Sequence, residues 1–123
     1  MNKMNVNIWD RDFELDIVYY NFPGEDITEL QQETVEKIIS VDFSDSLDNI
    51  VNYIIEYDSA ELNGEKIDNI FRYVMPKSIL IDRDDENRVF AVMCDYKFDI
   101  EHGLAVVFEN EKFKEVGSQD IIL

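Results

Sequence analysis

The spacing of apolar and polar residues changes period twice along the chain. Val6-Asn7-Ile8-Trp9 and Phe13-Glu14-Leu15-Asp16-Ile17 alternate, the period of half-buried strands, and Asp10-Arg11-Asp12 between them predicts a hairpin turn. Tyr19, Tyr20 and Phe22 prolong the second strand until Pro23-Gly24 ends it. The period then becomes helical. Ile27, Leu30, Thr34, Val35, Ile38 and Ile39 share one face, and Asp26 stands three residues before Glu29, the spacing of a capping box. Leu47, Ile50, Val51, Ile54 and Ile55 form a second stripe, which predicts a helix from about Asp45 to Tyr57 capped by Ser44 or Ser46. Asn63-Gly64 closes this unit with a turn.

Ile67, Ile70, Phe71 and Val74 keep a helical spacing, but Pro76 follows closely, so one or two helical turns are expected there. Strand patterning resumes after Pro76: Ser78–Asp82, Arg88–Tyr96, Gly103–Glu109 and Phe113–Val116, separated by Asp84-Asp85-Glu86-Asn87, a loop at 95–103, and Asn110-Glu111-Lys112. The expected fold is a single α+β domain over residues 1–123, in the order ββααββββ. It is an antiparallel meander with two amphipathic helices packed on one face.

Charge sharpens this picture. The chain carries 28 acids against 11 bases, a formal net charge of −17. The segment from Glu25 to Asp68 holds 13 acids and 2 bases, whereas Asn69 to Leu123 holds 11 and 7. The acids therefore concentrate on the helices, with Glu33, Glu36, Asp48 and Glu56 mostly outside the apolar stripes. Such a surface repels nucleic acid and anionic membranes, attracts a basic protein partner, and also serves solubility alone. No apolar run approaches the roughly 18 residues of a membrane span, and the first ten residues contain no apolar signal core. Cys94 is the only cysteine, which leaves no disulfide framework and fits a cytoplasmic location.

The most chemically suggestive stretch is DYKFDIEHG, Asp95 to Gly103, which contains the chain's only histidine. Read as a shaped connector, it needs Gly103 for a conformation that a β-carbon resists. Asp99 then closes a turn onto the backbone, His102 bonds a carboxylate or carbonyl, and Phe98 packs on the sheet. Read as a metal site, it offers Asp95, Asp99, Glu101 and His102, without EF-hand spacing or a His-x-x-x-His pair. Read as an acid–base site, it pairs His102 with Glu101 or Asp99, or with Cys94 as nucleophile, but no catalytic signature accompanies these residues. The connector reading carries no catalytic residue, metal or cofactor. Tyr53 and Tyr57, four residues apart on the second helix, can anchor a partner or border the core, and Trp9, Tyr19, Tyr20 and Phe22 offer the same choice on the first strands. The acid-rich Asp82–Glu86 segment reads as a solvated turn.

Several of these residues carry a resemblance. Ile27-Thr28-x-x-Gln31, Met75-Pro76 followed by Ile79 and Ile81, Cys94 with Phe98-Asp99-x-Glu101-His102-Gly103, and Val116-Gly117-x-x-Asp120 resemble a set of small bacterial domains. Some of these are placed among candidate immunity proteins of polymorphic toxin systems. The resemblance covers Ile27 to the end, and Phe98 stands where tryptophan is commoner in the set. Together with the acidic charge it leads to the expectation of a non-catalytic protein that neutralises a basic partner, such as a toxin nuclease domain; from their place outside the apolar stripes, Glu33, Glu36, Asp48 and Glu56 are the carboxylates expected to meet it. Phe98, Asp99, Glu101, His102 and Gly103 remain a structural motif in that reading. A small metal-binding or hydrolytic domain built on the Asp95–His102 loop, and a purely structural domain, stay open beside it.

Overall fold

The computed structural model describes residues 2–123. It is an α+β fold: one six-stranded, mostly antiparallel sheet with two helices against one face. The strands are β1 (Lys3–Ile8), β2 (Arg11–Tyr19), β3 (Val74–Ile81), β4 (Val89–Tyr96), β5 (Leu104–Glu109) and β6 (Lys112–Gly117), and they lie in the sheet in that order. The helices are α1 (Glu29–Ile38) and α2 (Ser44–Leu62). Two departures separate this from the expected ββααββββ meander. Two short 3-10 helices are added to that order: the helical turn expected near Ile70 and Phe71 falls at Ile70–Arg72, between α2 and β3, and a second, unexpected one, Gln119–Ile121, follows β6. In addition, β2 and β3 pair in parallel, because the two helices return the chain across the sheet before β3 begins.

Several boundaries move for identifiable reasons. The first hairpin turns on two residues, Trp9 and Asp10, with φ of 53° and 65°, so β2 starts at Arg11 inside the expected three-residue turn. Trp9 tolerates this conformation because its ring is buried and its indole N–H donates to the Ser46 hydroxyl at 3.1 Å. Ser46 is thus a buried bridge to α2 and not its cap. The N-cap is Phe43, which makes no side-chain cap bond; Ser44 is the first helical residue, and its N–H donates to the Asp42 carboxylate at 3.0 Å just ahead of the helix. At α1 the capping box is formed by Thr28 and Gln31, two residues beyond the expected Asp26 and Glu29. Pro76 lies within β3, and the shift in pairing register between Pro76 and Ser78 absorbs its missing N–H.

The main core lies between the helices and the sheet. Phe108 stacks on Phe90 at 5.0 Å and meets Phe43 edge-on at 5.2 Å, with Ile8, Ile38, Ile50, Ile54 and Val106 fully enclosed around them. The opposite face buries a narrower strip of smaller residues, including Ala91, Ala105 and Val107, on which Ile122 packs. Gln31 is a buried polar member of the helix layer. Its amide donates to the carbonyls of Tyr20 and Ile81 and accepts from the Thr28 N–H and the Asn21 side chain, so that α1, the end of β2 and the end of β3 are tied at one point. Among the described residues no helix is long and apolar enough to cross a membrane.

Candidate functional site

The Asp95–Gly103 stretch leaves the end of β4 and returns as β5. Tyr96 is buried, whereas Asp95 points outward to Lys77 at 3.6 Å. The turn is then closed by backbone and by Asp99. The Asp99 N–H donates to the Tyr96 carbonyl, the Gly103 N–H donates to the Asp99 carbonyl at 2.9 Å, and the Asp99 carboxylate accepts the His102 N–H at 3.1 Å. This side-chain bond reaches three residues on, one further than an ordinary Asx-turn. His102 Nδ1 lies 3.0 Å from the same carboxylate. The hydrogen bond from the His102 backbone is the main force lowering the Asp99 pKa, and the bond to Asp99 raises that of His102.

Gly103 has φ of 62°, and a β-carbon there would stand 2.6 Å from Gln119 Nε2 and 2.7 Å from the Cys94 carbonyl. The close approach has a purpose in the fold: Gln119 Nε2 donates to that carbonyl at 3.1 Å, while the Gln119 N–H donates to the His102 carbonyl. The connector and the C-terminal turn are therefore fastened together. Gln119 was not legible in the sequence, because a lone glutamine in a polar tail carries no periodic or spacing signal. Phe98 packs between Tyr73 at 5.5 Å and Tyr96 at 5.7 Å.

The residues of the metal reading do not converge. Asp95 pairs with Lys77, Asp99 is turned onto His102, and Glu101 is exposed. Among the described residues, no three His, Cys, Asp or Glu side chains come together in a group that could hold a metal ion. Cys94 belongs to the main core, its thiol pushed far up by burial, while His102 sits at the surface. The two do not form a nucleophile and base.

What the loop does meet is the C-terminal half of α2. The Tyr53 and Tyr57 rings lie 4.8 Å apart, and Tyr53 lies 6.4 Å from Tyr96. The Tyr96 hydroxyl donates to the Asp58 carboxylate at 2.5 Å, and Asp58 has φ of −132°, a break inside the helix. Burial chiefly, and then the charges of Asp58 and Asp99, raise the Tyr53 pKa. The two aspartates and the tyrosines thus share one neighbourhood. Tyr57, on α2, is 65% exposed, and Ile100, on the connector, is 86% exposed.

Glu33, Glu36, Asp48 and Glu56 are all exposed on the two helices, but they are not equivalent. Glu33 lies 3.2 Å from Arg88, whose guanidinium also holds Glu111 at 2.7 Å. Among the described residues Glu36, Asp48 and Glu56 form no ion pair. Trp9 is core, whereas Tyr20 and Phe22 are exposed beside Arg83, which bridges Glu25 and Asp85.

No curated protein and no solved structure matches the chain. A protein family described as a domain of unknown function, DUF6985, matches it over residues 1–123, and the chain belongs to that family.

Proposed function

We propose that this member of the DUF6985 family is a non-catalytic, cytoplasmic binding protein that neutralises a basic protein partner, a toxin domain such as a nuclease. The observation that carries the reading is the uneven distribution of charge. From Ser44 to Glu65 the chain has six acids and no base; two of them, Asp48 and Glu56, and Glu36 on α1 form no ion pair among the described residues. Lysines and arginines of the chain are spent mainly elsewhere, as in Arg83 with Glu25 and Arg88 with Glu111. A basic surface is steered toward such a layer at rates that fall as salt rises. The resemblance of the Phe98–Gly103 motif to candidate immunity proteins agrees with this reading.

The test is co-expression with each basic C-terminal domain of a secreted protein encoded beside the gene. Growth rescue with a stable complex of the two chains is the expected result. Toxicity that persists, with no complex at low ionic strength, would remove the reading. A calorimetric titration with zinc, nickel and calcium separates it from the metal-binding alternative on the Asp95–His102 loop.

A further inference from the structure

β2 and β3, the parallel pair, run in the same direction and end side by side, at Tyr19 and Ile81. In open sheets with parallel strands, the crevice beyond the carboxyl ends is where ligands are commonly held. Here the chain leaving β2, Tyr20 to Pro23, and the chain leaving β3, Asp82 and Arg83, line a cavity of about 380 Å³. Its two walls are tied to each other. Buried Gln31 donates to the Tyr20 and Ile81 carbonyls and accepts from the Asn21 side chain at 2.6 Å. The Tyr20 N–H donates to the Ile81 carbonyl at 3.0 Å, and Arg83 holds Glu25 at 2.7 Å. A buried amide is costly unless its bonds are made, and this one directs them to both walls.

The tied walls present aromatic surface and acceptors. Tyr20 and Phe22 are 46% and 64% exposed, and Pro23 stands next to them in the lining. Asp82 forms no ion pair among the described residues, and burial is the main force raising its pKa. The Asn21 N–H2 group is turned to Gln31, Glu25 and the Asp26 carbonyl, which leaves its amide oxygen to accept. Arg83 is the one base of the lining, and it is already engaged: its guanidinium holds Glu25 and Asp85 and lies 5.6 Å from the centre of the Phe22 ring. Asp82, Glu25 and Asp85 against Arg83 leave negative charge in excess around exposed rings. Arg83 shows on one wall the chemistry that the cavity offers to a second guanidinium, an aromatic face with carboxylates at its edge.

We infer that this cavity receives an arginine side chain of the basic partner, its guanidinium stacked against the rings of Tyr20 and Phe22 and hydrogen-bonded to Asp82. This rests on the function proposed above and gives it one anchor. Arginine suits the cavity better than lysine, because a planar and weakly hydrated guanidinium can stack and bond at once. Walls already held in place need little ordering on binding.

The probe is a capped Gly-Arg-Gly tripeptide, titrated at low salt into the isotopically labelled protein beside its lysine and citrulline counterparts. The arginine peptide should bind with a millimolar Kd and shift the signals of Tyr20, Asn21, Phe22, Asp82 and Arg83. Citrulline keeps the planar shape without the charge and should bind about tenfold more weakly; lysine keeps the charge without the plane and should bind about threefold more weakly. Phe22→Ala and Asp82→Asn should each weaken the arginine peptide about tenfold, and the amide spectrum of each variant checks that it is folded. Equal binding of the three peptides, or shifts centred away from these residues, would overturn the inference. Larger shifts here with acetate than with arginine would also overturn it, since Arg83 would then be the receptor. A complex from the co-expression test whose Kd neither substitution changes would remove the arginine anchor and leave the binding function standing. Arginine bound at the cavity, with no partner complex formed, would remove the neutralising function and leave the cavity an arginine site.

Discussion

The connector at Asp95–Gly103 and the outer surface of α2 are both rich in acids, yet their polar groups have opposite fates. In the connector nearly every group has a partner within the chain: Asp95 has Lys77, Asp99 has His102, and the backbone closes on Tyr96, Asp99 and Gln119. On α2, among the described residues, Asp48 and Glu56 pair with no cation, and Asp58 is engaged by a neutral hydroxyl. The region with the more suggestive motif is thus internally satisfied, and the blander region is not. Residues that recur as a motif often serve the backbone, whereas unneutralised charge beside exposed apolar groups has no service to perform within the fold.

The sharpest way to break this comparison is at Gly103. Gly103→Ala places a β-carbon against Gln119 and the Cys94 carbonyl in a left-handed conformation. A loss of about 2–4 kcal/mol of stability is expected, from overpacking and backbone strain together. Urea unfolding measures it. An unfolding midpoint equal to that of the wild type would show that the connector is not fastened by this contact.

Next in size is Tyr96→Phe. It removes the hydroxyl that holds Asp58, in a residue otherwise buried, and a loss of about 1–2 kcal/mol is expected for a hydrogen bond to a carboxylate. An unfolding midpoint equal to that of the wild type would show that the Tyr96–Asp58 bond does not fasten the break in α2 to the sheet. Smaller still is the combined change of Glu36, Asp48 and Glu56 to lysine, which should alter stability by no more than about 0.5 kcal/mol, since these exposed carboxylates have no partner to lose. Adding Glu33→Lys should cost more than a fourth such change would, because Arg88 then faces a like charge. A chemical unfolding series across the four variants separates these cases.

Much of the fold was legible because it is written in period. The alternation at Val6–Ile17 and the stripe of Leu47–Ile55 bury or half-bury most of the side chains that the pattern assigns to the core, but Ile55, like Ile27 and Ile39 of the first stripe, is exposed. The pairing of β2 with β3 was not legible, since strand direction across a two-helix connection depends on where the helices return the chain. The Trp9-Asp10 turn escaped for another reason: a bulky residue at positive φ is stabilised here by Ser46, thirty-seven residues away. At the candidate site, Asp99, His102 and Gly103 stood out by type and spacing. Asp58, Ile100 and Gln119 did not, because each acquires its place through a contact distant in sequence or through exposure alone.

The smallest effect, and the one that best tests whether the connector is self-contained, is the pH dependence of His102. Its pKa is raised above 6.5, first by the hydrogen bond to Asp99, and that of Asp99 is lowered below 3.8, first by the His102 backbone N–H. A raised histidine contributes stability that is complete below its unfolded value and is lost as pH rises through the folded one. A lowered aspartate contributes stability that is present above its unfolded value and is lost as pH falls through the folded one. The pair is therefore at full strength between about pH 4 and 6.5, from the reference values of the two groups. His102→Ala should lower the melting temperature most within that window, and the gap from wild type should narrow above pH 6.5. It should narrow on the acid side as well, as Asp99 is protonated; the backbone N–H that Asp99 accepts is common to both chains and cancels from the gap. Both groups are at the surface, so the gap should also shrink as salt is raised. A gap that widened above pH 6.5 would mean that neutral His102 is the stabilising form. The imidazole would then hold something other than Asp99, and the connector would no longer stand as the satisfied half of the comparison.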